Sequence, residues 1–112
     1  MQTINLESGM PNTIDAMANL NNRIYAVRAS GTRAAKIIHG YGSTGKGGAI
    51  RKSCRHKLLE YRRRGVIKDL CAGEKLGPFS EEGRRFAEKF PEVRKDIDWG
   101  RMNEGITIVL FK

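Results

Sequence analysis

Cysteine, proline and tryptophan are scarce in this 112-residue chain, which holds two, three and one of them. The two cysteines, Cys54 and Cys71, are too few for a disulfide framework and lack metal-ligand spacing. They read as buried free thiols of a reducing compartment. No apolar run approaches the ~20 residues of a membrane span. The opening MQTINLESGM has no basic head, apolar stretch or small-residue cleavage site, so neither secretion nor a membrane is expected, and a cytoplasmic location is. Repeats and low-complexity tails are also missing. With 39% hydrophobic residues, the chain has material for one modest core and reads as a single domain over residues 1–112.

What the chain has in excess is positive charge, and it is concentrated. The formal net charge is +9, of which +8 falls in residues 36–75, where eleven Lys or Arg face only Glu60, Asp69 and Glu74. Residues 76–112 balance seven basic against seven acidic side chains. An excess confined to one segment points to a polyanionic partner meeting one surface, DNA or RNA.

Thr3 to Leu6 reads as a first strand. Asn12 is then a helix cap ahead of Ile14, Met17, Leu20, Ile24 and Val27, whose steps of three and four draw one stripe that Gly31 stops. Ala34 to Ile38 is an apolar strand. A second helix over 49–64 aligns Ile50, Cys54, Leu58 and Tyr61, and Gly65 ends it. Val66 to Cys71 reads as a third strand and Ile106 to Phe111 as a fourth. Between them, 73–101 reads as a polar insertion with a short helix capped by Ser80 and stopped at Pro91. Strands joined through helices predict an α/β fold with mostly parallel pairing.

The segment HGYGSTGKGGAIR, from His39 to Arg51, lies between a strand and a helix start. Its glycines allow close backbone approach to a ligand, and the unpaired N–H groups of a helix N-terminus suit a phosphate. Candidate phosphate contacts are Gly40, Tyr41, Gly42, Gly45, Lys46, Gly47, Arg51, Lys52 and Arg55. Like charges along the following helix repel one another mildly, a cost that a polyanion removes. GYGSTGK satisfies part of a nucleotide-binding P-loop, but Gly47 stands where the magnesium-holding hydroxyl belongs, so no nucleotide cofactor is expected. Tyr41, flanked by glycines, is the better base-stacking candidate. Trp99 reads as packed under the insertion, and His56 as a surface residue.

The strand ending in IIHGYG, the glycine loop, Ile50-Arg51 opening the second helix and the final GITIVLF together resemble the Smr (small MutS-related) domain family over nearly the whole chain. The resemblance implies a two-layer α/β sandwich in βαβαββ order, similar to the C-terminal domain of bacterial translation initiation factor three. It also implies binding of DNA or RNA and, in several members, metal-assisted nicking of the backbone. Such members carry L-D-x-H on the first strand, where this chain has Ile4, Asn5, Leu6 and Glu7. An amide cannot serve as a general base or an anionic ligand. Glu7 can do either, since alternation puts residues 5 and 7 on the same strand face, and His39 can act as an acid or base or else fix the loop. Two functions from different classes follow: a nucleic-acid-binding domain, or an endonuclease using Glu7 and His39 with Mg or Mn. A protein-interaction module using residues 80–98 stands third.

Overall fold

The computed structural model describes residues 1–9, 11–41 and 45–112, and of residues 45–47 the backbone alone. Strand β1 (Gln2–Asn5) leads into helix α1 (Thr13–Ala29), whose first turn is held by Asn12: its side chain accepts from the Asp15 amide at 2.8 Å. Strand β2 (Ala34–Ile38), helix α2 (Gly45–Arg63) and strand β3 (Asp69–Ala72) follow. A 3₁₀ turn (Gly73–Lys75), helix α3 (Glu81–Lys89) and a second 3₁₀ turn (Pro91–Lys95) then precede strand β4 (Ile106–Leu110). Ser80 caps α3 by accepting from the Gly83 amide, and Gly65, at φ +77°, closes α2 in a conformation that disfavours a side chain.

The expectation of mostly parallel pairing is corrected. The sheet order is β1-β2-β4-β3, with β1 and β2 parallel and β4 antiparallel to both its neighbours. The reason lies in the excursion between β3 and β4. It leaves the sheet at Ala72 and returns beside it, since Ala72 pairs with Thr107, so the returning strand must run the opposite way. The carboxyl ends of β1, β2 and β3 therefore meet the start of β4 at one edge of the molecule.

The two-layer expectation is corrected as well. Alternation along β2 and β4 sends Ala35, Ile37 and Val109 to one face, where α1 and α2 pack through Leu20, Ile24, Ile50, Cys54, Leu58 and Tyr61. The opposite face, with Ala34, Ile106, Ile108 and Leu110, is covered by Leu76, Phe86, Phe90 and Val93 of the excursion. Every residue of β4 is buried because it is covered on both sides. Trp99 is half-buried against this second core.

Element edges shift for local reasons. On α1 the buried stripe is Ala16, Leu20, Ile24 and Val27, with Met17 packed beside it, while Ile14 is 81% exposed. Ile14 sits in the first turn, beyond the edge of the sheet. Helix α2 starts at Gly45 rather than Ala49, so Gly45, Lys46, Gly47 and Gly48 belong to its first turn and not to a loop. Once Ile50 and Cys54 anchor a helix, each further residue adds a hydrogen bond that offsets glycine's entropic cost of ~1 kcal/mol. Strand β3 starts at Asp69, later than Val66, because Val66 and Ile67 are buried as the turn out of α2. No helix among the described residues is long and apolar enough to cross a membrane.

Candidate nucleic-acid interface

The edge where three strands end is also where the sequence places its histidine and glycines, the usual position for ligands in open α/β sheets. The amides of His39 and Gly40 both donate to the Gly105 carbonyl at 3.0 Å, which ties the end of β2 to the turn before β4. Gly40 adopts φ +86°, a left-handed conformation that reverses the chain there. Tyr41 follows, 58% exposed. Gly42 lies outside the described residues.

His39 is fully buried, and both its ring nitrogens are engaged. Nδ1 lies 3.0 Å from the Gly40 carbonyl, which can only accept, so Nδ1 carries the proton. Nε2 is then free to accept from the Thr107 hydroxyl at 2.9 Å. The Thr107 oxygen in turn faces Arg55 Nε at 3.4 Å. Arg55 completes the chain with two parallel bonds to Glu74, Nη1 to Oε2 at 2.8 Å and Nη2 to Oε1 at 2.6 Å. Burial foremost, with Arg55 and Arg51 adding to it, holds the His39 imidazole down at about 4. Burial works to raise the Glu74 carboxyl, but Arg55 outweighs it, and the group lies below its ordinary range. The network is thus a neutral histidine joined through a hydroxyl to a closed ion pair.

This placement divides the sequence-derived residues. Arg55 turns inward and is committed to Glu74 and to the carbonyls of Glu104 and Ile106, so its charge is not offered to solvent. Arg51 lies 3.8 Å from Glu104 and remains partly open. Lys52, His56, Leu59 and Arg63 form an exposed stripe at steps of four, three and four along α2. Neither Lys52 nor Arg63 forms an ion pair among the described residues. Lys57, Arg62 and Arg64, by contrast, lie within 4 Å of Glu60 or Asp69. For Gly45, Lys46 and Gly47 the backbone position in the first turn of α2 is what the structure gives.

Asn5 and Glu7 do not share a strand face, because β1 ends at Asn5. The Asn5 side chain accepts from the amides of Glu7 and Ser8, at 2.9 and 3.2 Å, and turns the chain back. That turn carries the Glu7 carboxylate against Gly40, where an added Cβ would stand 3.2 Å from Oε1. Glu7 therefore does reach the glycine segment, by a route that strand alternation does not describe. Among the described residues, no group of three or more His, Cys, Asp or Glu is placed to hold a metal ion.

Sequence reasoning missed Thr107 and Glu74 as parts of the site. Thr107 had a signal in the GITIVLF run, since a threonine inside an apolar strand needs a hydrogen-bond partner. Glu74 had none, because its meeting with Arg55 depends on how the 3₁₀ turn after β3 packs under α2.

No protein-family model matches the chain, and neither does any curated protein sequence. Among solved structures, the chain is similar to the Smr domain of Thermus thermophilus MutS2. The TM-score is 0.61 and the identity 16%, over 100% of this chain and 99% of that one. At that identity the likeness is one of fold, and the chain has the fold of an Smr domain.

Proposed function

We propose that the protein binds DNA or RNA through the backbone at Gly40, the first turn of α2 and the exposed cations Arg51, Lys52 and Arg63. The observation that carries this reading is the stripe of α2 on which Lys52, His56 and Arg63 face solvent, running from the second and third turns to the last residue of the helix. A helix start offers unpaired N–H groups to phosphate, and the stripe continues the positive field along the next turns. Tyr41 is the aromatic group nearest that start and serves as a stacking surface.

Binding dominated by phosphates weakens steeply with salt, by a slope of about 0.7 to 0.9 per phosphate contact in a double-logarithmic plot. Fluorescence anisotropy on labelled oligonucleotides across a salt series is the test. Lys52→Ala together with Arg63→Ala should flatten the slope by about two contacts without altering the fold. An affinity independent of salt, or none for any DNA or RNA, would sink the reading.

A nicking reaction is the competing function, with Glu7 and His39 as its acid and base. We favour binding over catalysis because His39 has no solvent exposure and keeps both nitrogens in hydrogen bonds. Supercoiled plasmid incubated with Mg or Mn is expected to stay supercoiled. Conversion to the open circle by the wild type, lost in Glu7→Ala, would reverse that preference.

A further inference from the structure

Tyr41 also lines a groove of roughly 360 Å³ whose other walls the binding reading leaves unused. Thr3 and Ile38 form its floor, Tyr41 and Glu7 stand along one side, and Ile97 and Asp98 close it from the excursion. Two features are unusual. Tyr41 and Ile97, 58% and 71% exposed, are large apolar groups left open on one small hollow. The groove also carries two carboxylates, Glu7 and Asp98, against the single cation Lys36.

Those acids are not equivalent. Asp98 shares the Lys36 ammonium with Asp96, each at 2.6 Å, and its other oxygen accepts from Asn103 at 3.0 Å. Both oxygens of Asp98 are thus engaged within the wall, by Lys36 and Asn103. The Glu7 carboxylate accepts no hydrogen bond from a described side chain and stays exposed beside Gly40. A phosphate is repelled by such a group, whereas a ligand edge that presents only donors is attracted to it.

Resting on the nucleic-acid-binding reading, we propose that this groove receives one unpaired nucleobase, guanine, packed against Tyr41 and Ile97 and read by Glu7. Guanine is the base whose pairing edge offers two adjacent donors, N1–H and the N2 amino group, which match the two oxygens of one carboxylate. Adenine and cytosine offer one amino donor next to an acceptor. Thymine and uracil flank their single N–H with two carbonyls that oppose a carboxylate. Stacking on Tyr41 is tolerant of base identity, so discrimination falls to Glu7.

The test uses short labelled oligothymidines with one central guanine, inosine, adenine, cytosine or thymine, read by anisotropy with the wild-type chain, Glu7→Gln and Tyr41→Ala. Inosine keeps N1–H and lacks the N2 amino group. The wild type should bind the guanine strand about tenfold more tightly than the inosine or thymine strand, a contrast typical of a two-bond base contact. In Glu7→Gln the guanine-to-inosine ratio should fall to near one. The ratio is taken within each variant, which cancels the change in overall charge. Tyr41→Ala should weaken all five strands. Equal affinity for every strand in the wild type, a preference for another base, or a guanine preference unchanged in Glu7→Gln would each overturn the proposal and leave phosphate binding standing. Failure to bind any strand would remove both.

Discussion

Gly83→Ala is expected to destabilise the protein by about 2–3 kcal/mol, although the same change in an exposed helix stabilises by up to ~1 kcal/mol. Gly83 lies in α3, with its amide bonded to the Ser80 cap. The face it presents to the 3₁₀ turn after β3 has no room. A Cβ there would stand closer than van der Waals contact to the carbonyl oxygens of Lys75 and Gly77 and to the Gly77 amide. Those are backbone atoms, which cannot rotate aside as a flexible side chain would. Relief would require α3 to lift off the sheet, uncovering Phe86 and Phe90, which close the second core. Urea unfolding followed by circular dichroism should show a lower midpoint with an unchanged slope, and a midpoint lower by roughly 10 °C on heating. An unchanged or raised midpoint would mean that α3 does not approach the turn this closely.

The second large effect is on acid stability and comes from His39. Its imidazole is held at about 4 in the fold, against 6.5 for the free group. Between those values the unfolded chain binds a proton that the native chain refuses, so unfolding is favoured as pH falls. The contribution of neutral His39 is complete above pH 6.5, declines through the interval, and is lost by about pH 4. Two and a half units correspond to about 3 kcal/mol. The structural cause is specific, because His39 is fully buried and an imidazolium there would lose its hydration and face the cations Arg55 and Arg51. Unfolding free energies measured from pH 7.5 to 4 should fall in this window, and the fall should be absent in His39→Gln. Equal slopes in both proteins would refute the assignment. Burial works to raise the carboxyls of Glu74, Asp69 and Asp98, but Arg55 holds the first, Lys89 the second, and Asn103 with Lys36 the third below the ordinary range, so they add losses in the same direction at lower pH. The two windows can therefore be separated in one titration series.

Gly83 and the backbone it meets at Lys75 and Gly77 all lie in the excursion of residues 73–105, the region least legible in the sequence. Its apolar residues are few and irregularly spaced, since Leu76, Phe86, Phe90 and Val93 sit on turns and one short helix. No periodic pattern marks them as the lid of a second core. The long elements were legible for the opposite reason. Ile50, Cys54, Leu58 and Tyr61 recur at helical spacing and are all buried on one face of α2, and the strand-prone run read at 106–111 forms the fully buried strand β4 over Ile106–Leu110.

The candidate site divides in the same way. The sequence by itself determined that a basic segment opens with a histidine and glycines between a strand and a helix, because charge and glycine content are local properties of the chain. It also marked Tyr41, flanked by glycines, as a better stacking candidate than Trp99, and Tyr41 is exposed where Trp99 is half-buried. Only the tertiary structure decided which charges remain outside. It closed Arg55 onto Glu74 and left Lys52 and Arg63 open. It buried His39 against Thr107, which β4 brings to the end of β2. It brought Glu7 to Gly40 through the turn that Asn5 makes, and built the groove from β1, β2 and the excursion. Contacts between distant segments depend on strand order and on where each connection returns, and a one-dimensional pattern carries neither.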